Sequence, residues 1–229
     1  MDKTVKREII TTSDGSTTIH FPELNEQYHS KHGAINEAKH VFLKSGYNQV
    51  ITTNTQRELS VLEIGFGTGL NAFITFLEAQ KNNQKVNYVG VEAYPVSIEE
   101  QKHLNYVEVL SADEYQSVFD NLHEVPWEIP TDISSIFSLT KRKQFFREIT
   151  DQNCFDLVYF DAFGARVQPE LWTEEVFEKM YNALRCNGVL VTYAAKGSVR
   201  RAMQAVGFNV ERLPGPPGKR EMLRATKIK

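Results

Sequence analysis

Cysteine is scarce in this chain. Cys154 and Cys186 are the only two among 229 residues, too few for a disulfide framework or a thiolate zinc site. Each stands beside an apolar run, and the expectation for both is a reduced, buried, inert thiol. No apolar run approaches about 18 residues, so no membrane-spanning helix is expected. The opening Met1 to Glu8 has no apolar stretch of the secretory kind. These absences point to the cytoplasm, to no membrane partner and to no metal. Internal repeats and low-complexity tracts are missing too. A hydrophobic content of 41% with 24% charged residues is that of a globular protein able to bury a core.

Positive charge is not in excess overall, since the net charge is −3. Its distribution is uneven. From Arg185 to Lys229 there are ten Lys/Arg against two acids, Glu211 and Glu221, while residues 1–184 carry 16 bases and 27 acids. A basic C-terminal face on an acidic body suits a polyanion bound at one place; an unevenly charged solvated surface accounts for it equally well.

What is present begins with a hairpin pattern. Arg7 to Thr12 and Thr17 to Phe21 are β-branched and flank Asp14-Gly15. Ala34, Ile35, Ala38, Val41 and Phe42 then form a helical stripe, which Gly46 is expected to close. From Leu59 onward strands and helices alternate. Strands are expected at 59–64, 86–92, 155–161 and 189–193, with helices at 68–79, 173–184 and 197–206. Two final strands at 208–213 and 221–226 would be antiparallel. The middle reads less plainly, with a helix near 113–123, a Pro-bounded turn at 125–130 and a strand near 136–139. The fold class is therefore α/β and Rossmann-like, a mostly parallel twisted sheet with helices on both faces. Residues 1–55 form an N-terminal hairpin-and-helix extension and 56–229 the main domain.

Leu62-Glu63-Ile64-Gly65-Phe66-Gly67-Thr68-Gly69-Leu70-Asn71 carries the first chemistry. A strand, a glycine turn and a helix make a nucleotide-binding construction, because glycine lets the backbone approach a ligand and the helix start offers free N–H groups. A pyrophosphate site wants G-x-G-x-x-G. Here the spacing is G-x-G-x-G behind an acid, which repels pyrophosphate and suits the cationic methionine end of S-adenosylmethionine. No Lys-Ser/Thr follows, which excludes a Walker A loop. Glu92, 29 residues after Glu63, ends the next strand, where an acid can hold ribose hydroxyls. Asp161-Ala162-Phe163 ends a later one. Ligands of open α/β sheets lie beyond such ends, so Asp161 is placed to orient an amine and Phe163 to stack on a base or on adenine. Capping of a short helix is the plainer role for Asp161. The residues expected around the cofactor are Glu63, Gly65, Gly67, Gly69, Asn71, Glu92, Asp161 and Phe163.

The glycine loop, Asp161-Ala162-Phe163, Pro169-Glu170-Leu171-Trp172-Thr173, Phe177, Val199-Arg200-Arg201, Gly207-Phe208 and Gly218-Lys219-Arg220-Glu221-Met222 together resemble one family. So does the opening Tyr28-His29-Ser30, Gly33, Glu37 and Val41-Phe42. It is the methyltransferase domain of the tRNA 5-methylaminomethyl-2-thiouridine biosynthesis bifunctional proteins. The resemblance spans roughly residues 20 to 226. It implies methyl transfer from S-adenosylmethionine to the exocyclic amine of 5-aminomethyl-(2-thio)uridine at the wobble position, in the anticodon loop of tRNA. The chain stops soon after the methyltransferase signature, so the flavin oxidase domain of the bifunctional members is not expected, and a separate enzyme or route would supply the aminomethyl group.

Under that reading Asp161 is the candidate to hold the amine. Tyr28 is a second catalytic candidate, from a segment able to fold over the cofactor, with packing as its bland alternative. Lys196, Arg200, Arg201, Lys219 and Arg220 are candidates for phosphate contacts. Phe163, Trp172 and the Pro214–Gly218 loop are candidate walls for a splayed-out base, although core packing fits Trp172 as well. Two other readings stay open. A transferase acting on a small polyamine-type amine predicts an acidic pocket and no use for a basic face. A non-catalytic RNA-binding subunit of the same fold predicts loss of the glycine loop or the strand-end acids, and neither is lost.

Overall fold

The computed structural model describes residues 6–53 and 58–228. The boundary expected between residues 55 and 56 lies outside the described residues, as do residues 1–5 of the opening segment and Lys229.

Two strands, β1 (Glu8–Thr11) and β2 (Thr17–Phe21), pair antiparallel around Asp14-Gly15, and β3 (Glu26–Gln27) adds to β2. The expected hairpin is thus present. Asp14 stitches its turn, accepting from the Ser16 N–H at 3.1 Å and the Asn36 N–H at 2.9 Å.

A helical run follows in three parts: α1 (Ala34–Ala38), a π-helical stretch (Lys39–Tyr47) and α2 (Asn48–Thr53). Gly46 therefore does not end the helix as the sequence suggested. It lies inside it, and a Cβ there would stand 2.9 Å from Val191 Cγ2. The glycine marks a close crossing of helix over sheet rather than a C-terminal turn.

The main sheet holds β4 (Leu59–Ile64), β5 (Val86–Val91), β6 (Thr131–Ser134), β7 (Phe137–Arg142), β8 (Phe155–Phe160), β9 (Leu184–Thr192), β10 (Phe208–Pro214) and β11 (Glu221–Lys227). Their order is β10-β11-β9-β8-β4-β5-β7-β6. β7, β5, β4, β8 and β9 run parallel, and β11 enters antiparallel between β9 and β10. Helices α3 (Leu70–Asn82), α4 (Ile98–Gln101), α5 (Tyr106–Val109), α6 (Gln116–Glu124), α7 (Glu174–Ala183) and α8 (Gly197–Ala205) complete the chain. Thr173 caps α7 as expected, its Oγ1 accepting from the Val176 N–H at 3.4 Å.

Strand periodicity separates two cores. In β4 and β8, Val61, Leu157 and Tyr159 face the layer of α1 and α3, where Phe42, Phe73 and Phe76 are buried. Leu62, Ile64, Val158 and Phe160 face the opposite layer of α7 and α8, with Phe177, Met180 and Met203. Successive side chains of a strand point to opposite faces, so both layers are filled by the same short apolar runs. The two cysteines are exposed, contrary to expectation. Each lies at the margin of a buried run, not inside it: Cys154 just before β8, and Cys186 among the first residues of β9. Among the described residues no helix is long and apolar enough to cross a membrane, and no group of His, Cys, Asp and Glu is arranged to hold a metal ion.

Candidate active site at the carboxyl edge of the sheet

Strand order reverses at β4, which has β5 on one side and β8 on the other. In parallel sheets the crevice for a ligand opens beyond the carboxyl ends of the strands at such a point. A cavity of about 370 Å³ lies there, lined by Gly65 after β4, Glu92 after β5 and Asp161, Ala162 and Phe163 after β8. The N-terminal sheet roofs it with Tyr28 and Arg7.

The sequence-predicted residues fall into three groups. Gly65, Glu92, Asp161, Phe163 and Tyr28 line the cavity. Glu63, Gly67, Gly69 and Asn71 stand behind this wall and shape it. The basic residues lie elsewhere on the same edge.

Glu92 grips the loop that it was expected to flank. Its two oxygens accept from the Gly67 N–H at 3.1 Å and the Tyr94 N–H at 2.9 Å. A carboxylate has lone pairs for about four hydrogen bonds, so capacity remains for hydroxyls in the cavity. Burial pushes its ionisation upward, against the pull of these N–H groups.

Behind the cavity wall Glu63 is fully buried. Asn71 Nδ2 donates both to Glu63 Oε1 at 2.9 Å and to Asp161 Oδ2 at 2.8 Å. One amide thus orders two carboxyl groups. Burial raises the Glu63 carboxyl well above its ordinary range, and the nearby Asp161 charge adds to this. Burial also raises Asp161, to about 7, with the Glu37 charge next in size, while Asn71 and Lys219 oppose the shift. Asp161 caps no helix: its backbone N–H goes to the Ile64 carbonyl at 2.9 Å and its carboxyl to Asn71.

Tyr28 lies across the glycine loop. At Gly67, with φ +48°, a Cβ would meet the Tyr28 ring at 2.8 Å. The ring also packs on Phe163, with centroids 5.0 Å apart. Burial raises the phenol far above its ordinary range. The phenol is therefore neutral, and the ring forms an aromatic wall of the cavity. Trp172 is buried against Phe160, and its Nε1 donates to the Phe163 carbonyl at 2.8 Å. It supports the site from the core and forms no wall of the cavity.

The basic candidates separate. Lys196 and Arg201 are exposed and Arg200 is half-buried, at the start of α8 just beyond the carboxyl end of β9. Arg220 is exposed in the β10–β11 loop. Because β11 runs antiparallel to β9, that loop emerges on the same edge of the sheet. Lys219 does not behave as a free phosphate ligand. It ion-pairs with Glu37 and stands 3.8 Å over the centre of the Tyr193 ring. Arg185, Arg212 and Arg224 likewise pair with Asp156, Glu221 and Glu211; of these, only the Arg185 pair, with that of Lys219, draws on acids outside the C-terminal segment, so most of its excess of positive charge remains. His40 Nε2 donates to the Pro214 carbonyl at 2.8 Å, which pins the Pro/Gly loop to the N-terminal helical run.

Several lining residues were not foreseen. Tyr94, Phe145 and Phe146 form an aromatic side of the cavity, and Glu170 and Glu175 add carboxylates. The pair Phe145-Phe146 just beyond β7 is a signal a strand-end search would have found. Arg7, which pairs with Glu100 at 3.1 Å, carries none.

A family model described as S-adenosyl-L-methionine-dependent methyltransferase matches residues 138–228. The tRNA 5-methylaminomethyl-2-thiouridine biosynthesis bifunctional protein MnmC of Leptospira borgpetersenii is 29% identical over 220 residues, covering 86% of this chain and 31% of that protein. The chain thus spans about a third of the length of the curated relatives it matches. In three dimensions it is similar to MNMC2 from Aquifex aeolicus, with a TM-score of 0.77 at 24% identity, covering 98% of this chain and 72% of that one. Spermidine synthase from Thermotoga maritima is more distant, with a TM-score of 0.52 at 16% identity, covering 97% and 74%. The Rossmann-like methyltransferase fold, S-adenosylmethionine as cofactor and the resemblance to the methyltransferase portion of the bifunctional proteins are borne out. The cavity suits that cofactor: its lining combines the bare backbone of Gly65, the carboxylate of Glu92 and the aromatic rings of Tyr94 and Phe145.

Proposed function

We propose that this protein methylates the exocyclic amine of 5-aminomethyl-(2-thio)uridine at the wobble position of tRNA. The observation that carries the reading is Asp161. It faces the cavity at the strand switch point, is held by Asn71, and is pushed up to about 7.

Bound in the cavity, S-adenosylmethionine supplies an electrophilic methyl group. Glu92 would hold its ribose hydroxyls, Gly65 would let its amino-acid end approach the backbone, and Tyr94 and Phe145 would flank its adenine. An alkylamine is mostly protonated near neutral pH and reacts only through its free lone pair. Asp161 accepts a hydrogen bond from that amine, aims it, and takes up the proton released. A base whose ionisation lies near the working pH is matched to such a transfer. Alignment by Asp161 and the Tyr28–Phe163 wall supplies the rest, because a fixed geometry removes much of the entropic cost of the encounter. The Tyr28 phenol acts as donor and lid.

Lys196, Arg200, Arg201 and Arg220 sit on the edge at which the cavity opens. They would contact phosphates of the anticodon loop, positioning it without reading its sequence.

One observation favours a second reading. Glu92, Asp161, Glu170 and Glu175 place four carboxylates around the cavity, the acidic lining expected for a small polyamine-type substrate. A single experiment separates the two. The protein is incubated with methyl-labelled S-adenosylmethionine and either aminomethyluridine tRNA or putrescine and spermidine. Label in methylaminomethyluridine after nucleoside digestion supports the first reading. Label only in the polyamines sinks it.

A further inference from the structure

Glu37, Lys219 and Tyr193 come from separate places in the chain and are joined in a run of contacts that ends on the residue next to Asp161. Glu37 lies on α1 and is buried. One of its oxygens accepts from the Ser30 N–H at 2.9 Å, two residues beyond Tyr28, and the other takes the Lys219 ammonium. That ammonium lies 3.8 Å over the centre of the Tyr193 ring. The Tyr193 hydroxyl in turn donates to the Ala162 carbonyl at 2.8 Å, on the residue next to Asp161. A buried carboxylate with a single cation, set against the strand end that carries Asp161, is a strong electrostatic neighbour, because both charges act where water screens weakly.

We propose that Glu37 and Lys219 are positioning residues for Asp161, a buried anion–cation pair joined through the Tyr193 ring to the strand end that carries it. This inference rests on the reading of Asp161 as the residue that takes the amine's proton. It also reassigns Lys219 from the RNA surface to the interior of the site.

Beyond the effect of burial, which is the largest, the Glu37 charge raises the ionisation of Asp161 and the Lys219 charge lowers it. The other titratable groups facing Asp161 are Glu63 from β4, Tyr88 from β5, Tyr106 from α5 and Tyr193 beyond β9. The three phenols are raised by burial and stay neutral, and the buried Glu63 carboxyl is raised well above its ordinary range. Glu37 and Lys219 are thus the charges that remain to be balanced. Because they come from α1 and from the β10–β11 loop, the balance exists only when that loop is docked on the N-terminal helix.

The test is a 13C-carboxyl NMR titration of aspartate-labelled, cofactor-free protein, with Asp161 assigned by the signal missing from D161N. Glu37→Gln should lower its midpoint and Lys219→Met should raise it, each by about one unit, as for one unpaired charge in a weakly screened interior. The E37Q/K219M double variant should return towards the wild-type midpoint, and Lys219→Arg should keep it. Midpoints of E37Q and K219M both within about 0.2 units of wild type would overturn the proposal, since a nearby charge that water screens weakly shifts more than that. If K219M does not fold, the E37Q and K219R arms decide: an unmoved E37Q midpoint, or a K219R midpoint displaced as far as one unit, overturns it. In turnover assays the acidic limb of the pH profile should move in the same directions. Shifted NMR midpoints with no methyl transfer to aminomethyluridine tRNA would support the pair and overturn the proposed substrate, so the two readings fail separately.

Discussion

Asn71 Nδ2 lies 2.8 Å from Asp161 Oδ2, spanning from the first turn of α3 to the end of β8. The same nitrogen reaches Glu63, so the amide decides how two carboxyl groups share a buried space. Replacing Asn71 by Ala removes a hydrogen bond that favours the ionised form of Asp161. The Asp161 midpoint should rise above about 7, and methyl transfer at pH 7 should fall about tenfold or more and recover partly at pH 9. The fold should lose about 1–3 kcal/mol, the cost of unpairing buried polar groups. A rate–pH profile with an unmoved acidic limb would remove Asn71 from this role.

Asp161 should also leave a mark on stability. Its carboxyl is raised from 3.8 to about 7 in the folded chain. Between those values the unfolded chain has released its proton and the folded chain still holds it. Stability must therefore fall as pH rises through that window, and level off above it. Asp161→Asn carries no such proton. The melting temperature of the variant relative to wild type should climb between pH 4 and pH 8, by about 3 °C if the effect reaches ~1 kcal/mol in a chain of this size. Melting curves of the two cofactor-free proteins that keep a constant separation across that range would contradict the assignment.

The sheet and its edge were legible because parallel strands buried on both faces are written as short apolar runs, and each run here ends in the residue that faces the cavity: Gly65, Glu92 and Asp161. Gly46 was misread because a glycine that allows close packing looks the same in one dimension as a glycine that ends a helix. The cysteines were misread because one residue's shift along a strand margin separates buried from exposed. Lys219 was misread for a different reason. Its partner Glu37 is 182 positions away, and no local pattern tells a solvated lysine from one docked on a buried carboxylate. Arg7 reached the cavity through the pairing of β1 with β2, a tertiary consequence with no motif of its own.

Gly67→Ala tests the contact between the glycine loop and the N-terminal sheet. A methyl group there meets the Tyr28 ring at 2.8 Å and sits at φ +48°. The variant should lose about 1–3 kcal/mol, the range for overpacking and backbone strain together. Its affinity for S-adenosylmethionine should fall several-fold, since the loop must shift away from Glu92. Tyr28→Ala should cost less in the Gly67→Ala background than in wild type, because the overlap with the ring is then gone. Additive losses in the double variant, measured by denaturant unfolding, would show that ring and loop are not coupled.

Salt dependence distinguishes the basic residues from one another. Each phosphate contact made by Lys or Arg releases counterions, so removing one such contact lowers the slope of log affinity against log salt by about one. Arg220→Ala and the double variant K196A/R201A remove exposed cations at the open edge of the sheet. Among the described residues none of the three has an ion pair, so their charge is available to an RNA backbone. Both variants should weaken tRNA binding and flatten its salt slope, the double variant by about twice as much. Lys219→Met should behave otherwise: its ammonium is already neutralised by Glu37, so the slope should stay that of wild type even where methyl transfer is lost. Filter-binding titrations at several salt concentrations measure all three. An unchanged slope for R220A and K196A/R201A would move the RNA surface elsewhere, and a flattened slope for K219M would return that lysine to it.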